Sequence, residues 1–361
     1  MKLISYKTMK NHTLCGLMAA MSFVALSASA QSVEGTSYML PKNGLRFTIK
    51  VEKKQYTPGD FCQYSERFMK EKVAQKPTTT YRIIGIDIDK TAIPDTSRQF
   101  TLVMDKRRSI DHVALTHGGQ LLAINTDATQ PTQPTQPARV FTPAPKPKRL
   151  NPSDFMTEDI LSAGSTAKMA ELSAKEIYDI RDSRNSLSRG DADNLPKDGA
   201  QLKLMYDNMN RQESALRQLF EGYTQTDTTW TQVNFVPERE GRTVLFRFSS
   251  HFGLVDADDL SGEPYYLTIV DEHTATDPMA DPAEKKKEDK ADIGLRSCLP
   301  SKVKATLTTG NATVATYETT MAQFGFVQSL SGDLFGKKQS AQVVFDPMTG
   351  NVRSIKSVDL K

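Results

Sequence analysis

The chain has 361 residues, 38% of them apolar and 25% charged, a composition suited to burying a core rather than staying disordered. Its formal charge of +3 sits wholly in Lys2, Lys7 and Lys10; beyond residue 30 there are 43 basic and 43 acidic side chains. A neutral body exerts no long-range pull on phosphate polymers, which excludes nucleic acid as the expected partner.

Residues 1–30 have the plan of a secretory signal peptide. The three lysines supply the positive start, Leu14 to Leu26 the apolar stretch, and Ala28-Ser29-Ala30 a small-residue site for cleavage after Ala30. As a helix that stretch spans about 20 Å, short of the roughly 30 Å hydrocarbon core, so a permanent anchor is not expected. Cys15 lies inside the apolar stretch, not at its end where a lipid-attachment cysteine belongs. The expected location is periplasmic or secreted. The remaining 331 residues contain no run of 18 apolar residues, so no integral membrane segment is expected. Cys62 and Cys298 survive cleavage. Export permits a disulfide between them, and two separate thiols remain the alternative.

From 31 to 125 the pattern is mostly strand. Leu45, Phe47, Ile49 and Val51 alternate with polar residues, the period of a strand with one buried face. Thr57-Pro58-Gly59-Asp60 ends it, and Phe61, Tyr64 and Phe68 follow at the spacing of a short amphipathic helix. Further strands are expected at 81–89, 99–104 and, after Gly118-Gly119, at 121–125. Residues 126–172 carry Thr-Gln-Pro three times over at 129–137, followed by more prolines, and read as an extended linker or loop.

An antiparallel helical hairpin is expected over 173–222. Ser173-Ala174-Lys175-Glu176 has capping-box spacing, and Ile177, Ile180 and Leu187 share a face before Gly190. After the turn at 191–199, Leu202, Met205, Met209, Leu216, Leu219 and Phe220 form the stripe of a second helix that Gly222 ends. The segment 223–361 reads as a β region, with strands at 230–236, 243–249, 265–270, 302–309, 313–318, 327–330, 341–345 and 352–358. The stretch 277–292 is charge-dense and reads as a loop. The expected class is α+β, predominantly β: antiparallel sheets in a sandwich or partly closed barrel, with the helical hairpin inserted. The strands before the proline stretch either form their own domain or join the later ones in one sheet system.

Reactive constellations are scarce. His112, His117, His251 and His273 fit no helical metal-protease pattern, and there is no Gly-Xaa-Ser-Xaa-Gly elbow, Cys-Xaa-Xaa-Cys pair or phosphate-cradling glycine loop. The acidic run holding Asp256, Asp258, Asp259 and Glu263 could offer oxygens to calcium, but position six of the loop count is Ser261, not glycine. Such residues also make turns by bonding neighbouring amides, with no ion. Asp191 and Asp193 fall in the inter-helix turn and read the same way. No cofactor is expected. Two carboxylates that meet only after folding remain a route to hydrolysis of glycan or peptide.

Several stretches together carry a family resemblance: Tyr38-Met39-Leu40-Pro41-Lys42, Tyr56-Thr57-Pro58-Gly59-Asp60-Phe61, Asp193-Asn194-Leu195-Pro196, Val244-Leu245-Phe246-Arg247-Phe248 and Phe345-Asp346-Pro347-Met348-Thr349-Gly350. In these the chain resembles a family of exported proteins, a domain of unknown function, from Gram-negative anaerobes of the Bacteroides type. The resemblance implies an envelope address and assigns no catalytic residues. Together with the missing constellations, it points to a non-catalytic binding or scaffolding module whose partner is an envelope protein or glycan.

Overall fold

An alternating strand needs a partner surface for its apolar face, and the first strand of this chain finds two. A computed structural model of the protein describes residues 35–104, 108–131, 150–191, 198–278 and 291–359. The signal-peptide segment, most of the proline stretch, the inter-helix turn and most of the charge-dense loop lie outside the described residues.

Strand β1 (Gly35–Thr57) pairs along its length with β2 (Thr78–Val103), and from Leu45 onward also with β5 (Tyr223–Phe235), giving a three-stranded antiparallel sheet in the order β2-β1-β5. The expected strands at 81–89 and 99–104 are one. Pro94 reads as a break in sequence, but it stands opposite Pro41. Residues 95–98 then loop out of register, with Asp95 accepting from the Ser97 amide at 3.0 Å, before pairing resumes.

Five strands form a second antiparallel sheet: β6 (Gly241–Ser249), β7 (Gly253–Val255), β8 (Glu263–Asp271), β9 (Asp292–Thr309) and β10 (Ala312–Ser331), ordered β10-β9-β8-β6-β7. Leu45, Phe47, Ile49 and Val51 pack against Phe246, Leu267, Ile269, Val303, Ala305 and Leu307 of this sheet, so the two sheets make a sandwich. Each fully buried aliphatic or aromatic side chain contributes about 1.5–3 kcal/mol.

A third antiparallel sheet, β12-β11-β4-β3, comprises β3 (Val113–Leu115), β4 (Leu121–Ile124), β11 (Gln339–Phe345) and β12 (Val352–Asp359). It packs on the other end of β1 and β2, where Tyr38, Leu40 and Leu102 meet Leu121, Ile124, Phe335, Val343 and Phe345. The Tyr38 hydroxyl donates to Gly294 O at 2.9 Å and accepts from the Arg296 amide at 2.6 Å. Burial pushes its pKa up to about 12. None of the three sheets closes into a barrel. Strands before and after the proline stretch share sheets, β1 with β5 and β4 with β11, and Gly35–Lys361 makes one compact unit.

The helices attach where β1 ends. Phe61 and Met69 flank the short α1 (Ser65–Phe68) and pack against α3 (Thr166–Arg189) and α4 (Gly199–Glu221), with α2 (Glu158–Leu161) between the proline stretch and α3. Contact is close at Gly222, where φ is +74° and an added Cβ would lie 2.2 Å from Thr57 O. The cap of α3 is Ser165, whose side chain accepts from the Lys168 amide, and not Ser173, which is buried inside the helix. No residue between them breaks a helix, and Ala170 lies on the same buried face as Ala174 and Ile177.

Candidate functional site

Over the outer face of the three-stranded sheet a groove of about 430 Å³ opens at Gly44, within the roughly 300–1,000 Å³ range of small-ligand sites. Its floor is β1, β2 and β5; its walls are the Thr116–Gln120 turn between β3 and β4, the Pro347-Met348 turn between β11 and β12, and Gln130-Pro131. A Cβ on Gly44 would meet Thr91 Oγ1 at 2.8 Å and Val236 Cγ2 at 3.3 Å, so a side chain there would crowd the floor.

A fully buried amide holds these pieces in place. Asn43 exchanges two bonds with the side chain of Gln323: its amide donates to Oε1 at 3.0 Å and its carbonyl accepts from Nε2 at 2.7 Å. Its side chain accepts from the Ala322 amide at 2.7 Å and donates to Met348 O at 2.6 Å. Ala322 and Gln323 reach it because β10 leaves register between Met321 and Phe326. One side chain of β1 thus ties the irregularity of β10 to the turn that walls the groove.

The groove's electrostatics are one-sided. Among the described residues its lining holds Arg46, Lys90 and His117 and no carboxylate. Lys90 turns away: its ammonium donates to Thr320 O at 3.1 Å, and burial lowers its pKa, opposed by Asp346. Arg46 belongs to the outward face of β1, with Asp89 and Asn234 as its cross-strand partners. Its Nε is buried and meets no acceptor among the described residues. The same holds for Nε2 of Gln120, a residue that is 7% exposed. Buried donors without acceptors are uncommon in native proteins, and each costs about 1–3 kcal/mol. Two of them belong to the lining of one groove.

The residues that sequence patterns single out lie elsewhere. Asp256, Asp258 and Asp259 occupy an exposed turn, and Glu263 begins β8. Arg247 ties the turn by donating to Ala257 O at 2.9 Å and Gly262 O at 3.1 Å. Asp259 accepts from the Ser261 amide at 2.9 Å, which holds its carboxyl below the usual range. Among the described residues, no three His, Cys, Asp or Glu side chains are grouped to hold a metal ion.

Cys62 and Cys298 are free thiols that the fold does not bring together as a bridge. Cys62 opens a turn of 3-10 helix ahead of α1; Cys298 is buried in β9, its Sγ donating to Ala322 O at 3.1 Å. Burial pushes that thiol up to about 11. The acids along the α3–α4 groove are held by arginines. Glu213 accepts from Arg181 and Arg184, each at 2.7 Å, and Arg217 bonds both Glu221 and Glu71. His273 Nδ1 lies 3.0 Å from Oδ2 of the buried Asp271 that ends β8.

Sequence reading passed over Arg46, Gln120 and Gly44. Arg46 looks like any solvent-facing residue of an alternating strand, and only folding brings separate stretches around it. The Gly118-Gly119 turn and the turn at 346–350 were the legible walls.

The model of a family described as Domain of unknown function (DUF4831) matches residues 34–353. No curated protein and no solved structure matches the chain.

Proposed function

The chain belongs to the DUF4831 family, and we propose that it is an exported, non-catalytic binding module of the cell envelope whose ligand sits in the groove at Gly44. The observation that carries this reading is the pair of unmatched donors, on Arg46 and Gln120, in a groove whose described lining has no acid. A groove with donor-bearing and apolar residues, and no acid among its described lining, is equipped to hold a ligand. The pattern of residues 1–30 supports export, and an envelope protein or glycan supplies the partner.

Two measurements test the reading. N-terminal sequencing of protein recovered from the cell envelope should begin at Gln31; cytosolic protein still starting at Met1 would remove the address. Ile93 is 41% exposed at the groove mouth, so Ile93→Trp fills the groove while leaving the core alone. A component captured from an envelope extract by the wild type, identified by mass spectrometry, should be lost with the variant. Equal capture by both would place binding elsewhere.

A further inference from the structure

Resting on the groove as the binding site, we propose that its ligand is a carboxylate carried next to an apolar side chain, the chemistry of a peptide C-terminus, with Arg46 meeting the charge and Gln120 donating beside it. Three features lead there. Arg46 brings to the lining a guanidinium, which prefers planar two-oxygen acceptors, and Gln120 a primary amide; the buried Nε of one and Nε2 of the other meet no acceptor among the described residues.

The charge available is small. Lys90 directs its ammonium to Thr320, Asp89 stands across the ladder from Arg46, and His117 is exposed on the β3–β4 turn. About one positive charge at the floor matches a monoanion better than a phosphate, which draws on several cations or a cradle of backbone amides. The remaining surface is mixed: Ile93, Pro94, Val236 and Met348 give it an apolar part, beside Thr91, Thr116, Gln130 and Asn234. Phe235, the one benzenoid ring among the described lining residues, packs inward on the core between the sheets. Without an outward ring to stack on a sugar, a peptide end fits this surface better than an acidic glycan.

The test is fluorescence polarisation with the purified protein and three probes: a labelled tetrapeptide ending in leucine, the same peptide as its C-terminal amide, and unlabelled glucuronic acid as competitor. The free acid should bind at least tenfold tighter than the amide. Arg46→Gln should abolish that preference, and Arg46→Lys should restore part of it. Should Arg46→Gln fail to fold, Ile93→Asp places an acid at the exposed mouth and should weaken the free acid far more than the amide. Equal affinity for acid and amide would overturn the carboxylate while leaving the groove a binding site. Binding of neither peptide, or displacement by glucuronic acid at lower concentration than by unlabelled peptide, would overturn the peptide end. Equal capture by the wild type and a folded Ile93→Trp variant would instead overturn the groove as the binding site, so the two readings fail separately.

Discussion

The β1-centred sandwich and the α3–α4 pair are held by different forces. In the sandwich, Leu45, Phe47 and Ile49 are wholly buried, and both edges of β1 are hydrogen-bonded from Leu45 onward. In the helical pair the apolar seam is confined to one end: α4 buries Ala215, Leu216, Leu219 and Phe220 in its last turns, whereas Leu204 and Met205 near its start are exposed. At the boundary sits a charge, Glu213, between two arginines. Long strands with two bonded neighbours leave apolar burial to carry the stability; a helical pair docked at one end relies on ion pairs and caps. The two regions should therefore open at different free energies.

The comparison breaks if core truncation in β1 is mild. Phe47→Ala removes a ring from the centre of the sandwich and should cost about 3–5 kcal/mol, read as a lower denaturant midpoint for probes in the sandwich. A loss under about 1 kcal/mol would mean that the sandwich is not the stable region. Asn43→Ala should come next, on the order of 3 kcal/mol, since it strands the Ala322 amide and Met348 carbonyl in a buried site. It should also release the groove wall, so that peptide binding weakens together with stability.

Much of the sheet structure was legible because its signals are local. The alternation at 45–51, the Gly310-Asn311 turn between β9 and β10, and the turn at 346–350 each state their structure within a few residues. What escaped was non-local. Pro94 looks like a strand break until Pro41 is placed opposite it. Ser173 carries the right cap spacing, yet the helix runs through it because Ala170 also finds the apolar seam. Ile293 and Leu295 of β9 are buried among strands of three sheets, in a stretch where sequence reading began the strand only at 302. The groove is the extreme case: Arg46, Gln120, Val236 and Met348 are far apart in chain, and each is ordinary where it stands.

The charged boundary of the helical pair gives the comparison a pH dependence. Burial disfavours ionised Glu213, but the bonds and charges of Arg181 and Arg184 outweigh it and hold the carboxyl below its usual range. A carboxyl depressed in the folded state stabilises above its unfolded pKa, and that contribution is lost as pH falls through the folded value. Amide exchange of α3 and α4 should therefore rise, after correction for intrinsic rate, below about pH 4, while β1 stays protected. Glu213→Gln should reproduce the effect at neutral pH at a cost of about 1–2 kcal/mol, modest because both arginines can turn to water. Equal loss of protection in β1 and α4 would show one cooperative unit in place of two.

The smallest effect sharpens the contrast most, because it touches no core. The Ser165 side chain accepts from the Lys168 amide at 3.2 Å at the exposed start of α3. Ser165→Ala should cost about 1 kcal/mol or less. In a helix fixed along its length by packing, such a loss would be spread through the fold and lower the global midpoint. Here the first buried seam residue of α3 is Ala170, a turn beyond the cap. The loss should therefore appear as faster exchange in the first turn of α3 alone, with the denaturant midpoint of the sandwich unchanged. If the midpoint moves with the cap, α3 is coupled to the sandwich through α2 and the turn after β1 more tightly than its one-ended seam implies.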